Sequence, residues 1–283
     1  MTAQVTVGLD GSEESIAAAR WAAREAVLRE VALRLIHVDE WPNVPEAPLP
    51  DALARAEALV RDTAEQARKE HPDLEVSGEV AHGRATDVLT AAANDSDLTV
   101  LGSRGLSGLL GYLVGSVSLA VVGAARMPVT LVRAESGRSA RSHTGIVVGV
   151  DIQHPCEALL GFAFTEAART GLPLRLLHTW TLPASYGYAS VVDPGVGEEL
   201  GAQLAGGLDE LLQPWERHYP GVDATAEQVM GSAAYQLVEA SRNAGLVIVG
   251  RRNRKVPLGP HLGHVAHAVI HHSPAPVTVV PLG

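Results

Sequence analysis

An internal duplication is the feature that most constrains what this 283-residue chain can fold into. Segments of the first half recur in the same order in the second half, which predicts two similar domains. The matching segments are 5–40 with 146–180, 100–105 with 248–253, and 127–132 with 275–280. The offset between the copies grows along the chain, so we expect a small insertion within 181–199. We place the domains at 1–135 and 145–283, joined by a linker at 133–144.

Each copy alternates short β-branched runs with longer segments whose apolar residues recur at helical spacing. In the first copy this pattern predicts strands at 4–9, 32–38, 74–80, 97–102 and 128–132, and helices at 13–29, 51–70, 84–93 and 116–125. Strands that alternate with helices predict βαβ units, and therefore an α/β fold with a parallel sheet. Aromatic residues make up 4% of the chain, so the core must come mainly from Val, Leu, Ile and Ala, as in buried parallel sheets.

The composition excludes several classes of protein. The formal net charge is −10, which is the wrong sign for non-specific nucleic-acid binding. The single cysteine, Cys156, rules out an internal disulfide and a zinc site built on cysteines. No apolar run is long enough to span a bilayer, and no signal peptide is visible. We therefore expect a cytoplasmic protein without membrane insertion.

A glycine-rich segment, GSRGLSGLLGYLVGSVS at 102–118, lies between a predicted strand and a predicted helix. Parallel sheets bind ligands beyond the carboxyl ends of their strands, and this segment begins there. Its glycines let backbone N–H groups approach an anion, and Gly115-Ser116 precedes a helix whose N-terminus attracts negative charge. Ser116, Ser118 and Arg104 add further donors. The spacing indicates a phosphate site, although turn glycines and a helix cap without a ligand would give a similar pattern.

The second copy is a control for this segment. It lacks the counterparts of Gly105, Gly108 and Ser116. The fold can therefore be built without these three residues, which favours a ligand over a turn as their purpose in the first copy.

Asp10 after the first strand, together with the spacing Gly102-x2-Gly105-x9-Gly115-Ser116, resembles the universal stress protein family. The resemblance covers nearly the whole chain as a tandem of two domains. It implies two five-stranded, parallel-sheet domains with helices on both faces, Rossmann-like and of the adenine nucleotide alpha hydrolase type. It also implies that the final strands pair the domains across a pseudo-twofold axis, and that two chains associate as a homodimer.

The same resemblance implies that ATP, together with Mg²⁺, binds the first domain. Asp10 would lie near the ribose and the metal-phosphate region, and Val38 would contact adenine through its backbone. The residues expected to hold the nucleotide are Asp10, Gly11, Ser12, Val38, Gly102, Arg104, Gly105, Gly115, Ser116, Val117 and Ser118.

The second domain departs from this pattern, since Asn253 replaces the second glycine and His264 replaces the serine. The residues that would hold a nucleotide there are Asp151, Thr179, Gly250, Arg252 and Gly263. Two outcomes stay open: the second domain binds nucleotide, or it serves only to pair with the first.

Histidines are the remaining candidates for chemistry. His37 and His178 occupy equivalent strand ends, and we interpret them as structural because no nucleophile motif accompanies them. The second domain also carries His261, His264 and His267, followed by two more histidines at 271–272. No nearby carboxylate or cysteine supports a zinc site, so we interpret these as surface or capping residues.

The resemblance implies an ATP-binding regulator of stress response or dormancy, acting through a protein partner that the sequence does not identify. Two alternatives stay open. One is a slow ATPase or adenylate-handling enzyme, for which Asp10 is the single candidate base. The other is a pairing module that binds no nucleotide.

Overall fold

A computed structural model describes residues 3–40, 50–103, 114–134, 145–154, 157–181, 195–252 and 262–282. These residues form ten strands and eight helices, and strands alternate with helices in both halves of the chain. The α/β class and the repeated order predicted from the sequence are confirmed.

In the first domain the strands are β1 (Gln4–Leu9), β2 (Ala32–Asp39), β3 (Val76–His82), β4 (Leu98–Gly102) and β5 (Val129–Val132), and the helices are α1 (Glu13–Arg29), α2 (Pro50–Glu70), α3 (Ala85–Asn94) and α4 (Ser116–Ala124). Helix α1 begins where the Ser12 hydroxyl accepts a hydrogen bond from the backbone N–H of Ser15. It ends at Glu30, whose left-handed backbone has a φ of 55°.

In the second domain the strands are β6 (Ile146–Val150), β7 (Leu174–Trp180), β8 (Ala224–Met230), β9 (Leu246–Arg252) and β10 (Val277–Leu282), and the helices are α5 (Glu157–Thr170), α6 (Gly195–His218), α7 (Ala233–Ser241) and α8 (His264–His272). The insertion expected at 181–199 falls between β7 and α6, largely outside the described residues.

Two sequence predictions need correction. The third strand was predicted at 74–80 but runs two residues later, because a turn that joins Leu74 N–H to the His71 carbonyl precedes it. Arg133 was assigned to the linker, yet its guanidinium donates to backbone carbonyls at the end of α8.

All ten strands belong to one sheet, in the order β3-β2-β1-β4-β5-β10-β9-β6-β7-β8. Neighbouring strands are parallel within each domain, whereas β5 and β10 pair antiparallel, with Thr130 opposite Thr278. The five strands of each domain follow in equivalent order on either side of this pair. This arrangement agrees with the pseudo-twofold pairing that the family resemblance implied. In the first domain the strand order reverses between β1 and β4, which is where such sheets bind ligands.

The hydrophobic core runs through both domains. On one face of the sheet, α3, α4, α7 and α8 cover a single core that includes Leu89, Val121 and Leu237. On the other face, α1 and α2 cover one core and α5 and α6 another, and Trp21 and Phe162 pack against both. The two domains therefore form one packed body.

Buried polar contacts lie at the junction between the domains. The hydroxyls of Thr130 and Thr278 are 2.7 Å apart, and both side chains are fully buried. Glu25 of α1 and Glu166 of α5, which correspond by the duplication, are both paired with Arg29. Arg169 also pairs with Glu166. Burial, opposed by the charge of Arg29 and assisted by Glu25, raises the pKa of Glu166 to about 8.

Candidate functional site

A cavity of about 390 Å³ opens at the carboxyl ends of the first domain's strands, where the strand order reverses. Its volume lies in the range typical of small-molecule sites. The lining residues are Gly8, Leu9, Asp10, Ser12, Ser15, Ile36, Val38, Glu40, Ala85, Leu89, Leu101, Gly102, Gly115, Ser116, Val117 and Ser118.

Most of the predicted nucleotide-site residues line this cavity. Those in its wall are Asp10, Ser12, Val38, Gly102, Gly115, Ser116, Val117 and Ser118. Gly11 lies in the same turn as Asp10 but is not part of the wall. Arg104 and Gly105 lie outside the described residues.

The turn after β1 supplies a carboxylate held in a fixed orientation. Asp10 Oδ1 accepts hydrogen bonds from the backbone N–H and the hydroxyl of Ser12. Gly11 makes this turn possible with a φ of 83°, a left-handed backbone that other residues adopt at a cost. Ser12 also caps α1, so the carboxylate is tied to the first turn of a long helix.

The N-terminus of α4 forms the opposite wall. Its N-cap residue, Gly115, has no side chain to accept hydrogen bonds from the first-turn N–H groups. Such a helix end favours an anion, through both its N–H groups and the helix dipole. The Ser118 hydroxyl donates to the Gly102 carbonyl over 2.9 Å. In this structure Ser118 therefore fixes α4 against the end of β4.

The third wall is apolar, and sequence reasoning missed it. Ile36, Ala85, Leu89 and Leu101 contribute to it beside the predicted Val38. Leu89 and Leu101 also belong to the hydrophobic core. Their positions in the sequence predict core packing and carry no local signal of a ligand. Such a wall suits a flat, weakly polar group, and it lies in the same cavity as the α4 N-terminus.

Glu40 is another lining residue that the sequence did not single out. Its Oε1 accepts a hydrogen bond of 2.6 Å from Ala85 N–H at the start of α3. This carboxylate satisfies the N-terminus of α3, so the two helix ends that face the cavity differ. The α3 end carries a carboxylate cap, and the α4 end carries a glycine.

His37 and His178 occupy equivalent structural positions, as the duplication predicted. His37 Nδ1 is 2.9 Å from the Leu9 carbonyl, and His178 Nδ1 is 3.0 Å from the Val150 carbonyl. Each ring therefore hydrogen-bonds the end of the neighbouring strand, in agreement with a structural role.

The second domain arranges its carboxyl edge differently. Asp151 accepts hydrogen bonds from Arg252 Nη2 at 2.9 Å and from the backbone N–H of Gln153 at 3.1 Å. The His154 ring lies 3.1 Å from the same carboxylate. Partial burial alone would raise the pKa of Asp151, but the contacts with His154, Gln153 and Arg252 outweigh it and lower this pKa. Asp151 is thus an ionised partner of the domain's own side chains.

The other predicted residues of the second domain do not gather around Asp151 in the same way. Thr179 is half-buried on β7, and Gly263 is the N-cap of α8. The space beside Gly250 is filled by Leu282, whose Cδ1 would lie 2.6 Å from an added Cβ. His264 begins α8 and is exposed.

The histidine rings of α8 lie close together and are tilted relative to one another. The rings of His267 and His271 are 4.3 Å apart between centroids, and His271 is buried. Burial and the neighbouring His271 and His272 lower the pKa of His267. Within the described ranges, no group of three or more His, Cys, Asp or Glu side chains is placed to hold a metal ion.

A second cavity, of about 530 Å³, lies away from these motifs in the second domain. Gly145 and Pro173, at the amino ends of β6 and β7, contribute to its wall. The ion pair of Arg175 and Glu227, 3.2 Å apart, lies within it. None of the predicted site residues that the structure describes lines this cavity.

Fold and site define an α/β protein of two fused domains with equivalent strand order. In the first domain a small-molecule cavity lies where the strand order reverses, between β1 and β4. The sequence profile of the universal stress protein family matches residues 1–133 and 144–281. The chain belongs to this family. None of the helices in the described parts of the chain could cross a lipid bilayer.

Relatives of the same family align over nearly the whole chain. A universal stress protein of Mycobacterium tuberculosis is 31% identical, with 97% of this chain and 96% of the relative covered. One of Mycolicibacterium smegmatis is 32% identical, with 98% and 96% covered. The crystal structure of a universal stress protein from Archaeoglobus fulgidus superimposes with a TM-score of 0.71, at 18% identity over 99% of this chain and 98% of that one. The structural likeness supports the tandem fold.

Proposed function

We propose that this protein binds one ATP in the cavity of its first domain and acts as a nucleotide-dependent regulator of stress response or dormancy. The observation that carries the proposal is the pairing of two environments in one cavity. The apolar wall around Ile36 and Leu89 suits a base, and the glycine-capped N-terminus of α4 suits phosphates. The protein's negative net charge requires such local donors, because its overall field repels anions.

Each predicted residue then has a role. Val38, at the apolar wall, would meet the base, and Asp10 and Ser12 would meet the ribose. The backbone N–H groups of Ser116 and Val117, next to Gly115, would meet the phosphates. Gly102 keeps β4 close to α1, and Arg104 and Gly105 remain predicted contacts.

The residues present fit Mg²⁺ that arrives with the nucleotide. Magnesium in nucleotide sites is held by one or two carboxylates together with phosphate oxygens and water. Asp10 is a carboxylate in the cavity wall. When bound, the ion would neutralise phosphate charge.

In this proposal the second domain is degenerate and serves mainly as the partner of the first. Its Asp151 is held by Arg252 and His154, and an exposed histidine, His264, begins α8 where Ser116 begins α4. A homodimer, a regulatory protein partner and a cytoplasmic location belong to the same proposal.

The test begins with nucleotide released from denatured, purified protein and identified by chromatography, followed by calorimetric titration with Mg-ATP. We expect one ATP per chain. Asp10→Asn should weaken binding by about tenfold or more, since hydrogen bonds to charged groups contribute about 1.5–3 kcal/mol.

Asp151→Asn, the matched variant in the second domain, should leave ATP affinity and stoichiometry unchanged. If the protein releases no nucleotide and gives no heat on titration, the result would favour the pairing module. Rapid steady-state release of phosphate would favour an enzyme instead of a regulator.

A further inference from the structure

Two arginines cross the junction between the domains, and each contacts the end of a helix in the other domain. Arg251, at the end of β9, donates from Nη2 to the carbonyl of Ala125, the C-cap residue of α4, over 2.5 Å. Arg133, just after β5, donates to the carbonyls of Ile270, His271 and Ser273 at the end of α8, over 2.6–2.9 Å.

A positively charged donor such as arginine is well matched to the C-terminal end of a helix. The last carbonyls of a helix have no partner within it and form the negative end of its dipole. A guanidinium carries several donors and remains charged in proteins. Arg251 is 5% exposed, and burial lowers its pKa without removing its charge at neutral pH. The contact with Ala125 is therefore shielded from solvent.

Helix α4 depends on this outside contact because it has little capping of its own. Neither its first turn nor its last turn carries a charged side chain, and its N-cap is Gly115. At its N-terminus, Ser118 fixes it to Gly102. At its C-terminus, Arg251 of the second domain holds Ala125.

A nine-residue helix is about 14 Å long and close to rigid. Holding its C-terminus therefore sets the direction in which its N-terminal N–H groups point. Those N–H groups form one wall of the cavity in the first domain.

The duplication did not create the pair of crossed contacts. Arg251 corresponds by alignment to Ser103, whose hydroxyl and N–H donate to Val132 within its own domain. Arg133 corresponds to Pro281. The two arginines therefore occupy positions that do not correspond by the duplication.

We propose that Arg251 of the second domain is a positioning residue for the nucleotide site of the first. It holds the C-terminus of α4 so that the N-terminal N–H groups of this helix point at the phosphates. This inference rests on the proposed function. It adds that the second domain, although degenerate, sets the phosphate affinity of the first.

The test compares Arg251→Met with the wild-type full-length chain by titration with Mg-ATP and with adenosine. The methionine keeps an unbranched apolar side chain but removes the donors. We expect ATP affinity to fall by about threefold to tenfold, which lies within the range of coupling between linked sites. Adenosine affinity should stay unchanged, because the apolar wall does not depend on the α4 N-terminus. Equal losses for both ligands would show a merely structural role and overturn the inference.

Arg133→Met is the matched control, since it removes the corresponding contact at α8. It should leave both affinities unchanged. Equal ATP affinity in the two methionine variants would overturn the inference, whereas no ATP binding by the wild type would overturn the proposed function itself. Should Arg251→Met fail to fold by circular dichroism, Arg251→Leu, which also removes the donors, gives the same test: a selective loss of ATP affinity supports the inference, and wild-type affinity contradicts it.

Discussion

The carboxyl edges of the two domains have the same scaffold and different chemistry. In the first domain Ser12 donates to Asp10 within the turn after β1, and the neighbouring α4 begins with the small residues Gly115 and Ser116. In the second domain Asp151 bonds Arg252 across the edge, and α8 begins with a histidine. Ile152 stands in place of Gly11. The fold therefore tolerates either arrangement, and the small residues of the first domain support the proposed nucleotide site.

Gly102 of β4 and its counterpart Gly250 of β9 give the strongest test of this contrast. An added Cβ at Gly102 would lie 2.8 Å from backbone atoms of Glu14 and Ser15, whereas one at Gly250 would meet the Leu282 side chain. The α1 backbone, unlike a side chain, cannot avoid the new methyl group by changing rotamer. Gly102→Ala should therefore displace α1 and destabilise the fold by about 1–3 kcal/mol. We also expect a loss of ATP affinity. Gly250→Ala should cost less, because Leu282 can change rotamer.

Urea denaturation and Mg-ATP titration of the two alanine variants check this expectation. Equal stability losses, or full ATP affinity in Gly102→Ala, would contradict the view that the close approach of β4 and α1 shapes the site.

The buried carboxylates at the junction give a test through pH. The pKa of Glu166 rises from its ordinary value of 4.5 to about 8 in the folded protein. The folded state therefore binds more protons than the unfolded state between these values, and stability falls as pH rises from about 4.5 to about 8. Glu166→Gln should flatten this part of the melting-temperature profile by several degrees.

The groups that face Glu166 are Glu25 and Arg29 from α1 and Arg169 from its own helix. Glu210→Gln, at an exposed position on α6, is the control and should keep the wild-type slope. A wild-type profile that is flat between pH 5 and 8 would argue against a protonated carboxylate at the junction.

The smallest effect is expected where the two domains are most alike. Thr130→Val or Thr278→Val removes one hydrogen bond between buried hydroxyls, at a cost of about 1 kcal/mol. The double variant should lose less than the sum of the two single variants, because both hydroxyls are then gone. Denaturant titrations of all four proteins measure this difference, and strict additivity would mean that the two hydroxyls do not interact.

The sequence predicted the class, the repeat and most strand and helix positions, because periodicity and duplication are local patterns. It also placed Asp10, Ser12 and the Gly115–Ser118 segment at one edge of the sheet, since the ends of parallel strands meet there. The start of β3 was two residues off because Leu74 closes a turn with the His71 carbonyl, so the strand begins only at Val76.

Other features could not be predicted because they depend on contacts between distant parts of the chain. Arg133 has the composition of a linker around it, and its bonds to α8 appear only when β5 and β10 pair. Leu89 and Leu101 resemble ordinary core residues until the cavity beside them is seen. Glu25 and Glu166 occupy helix faces with no local sign that they meet.

The antiparallel pair of β5 and β10 makes this chain the covalent equivalent of a symmetric dimer. In a dimer of identical chains every substitution appears on both sides of the axis. Here one polypeptide encodes both sides separately, so Arg133 and Arg251 could arise at unrelated positions. Fusion thereby allows the two halves to differ at any position while they keep one continuous sheet.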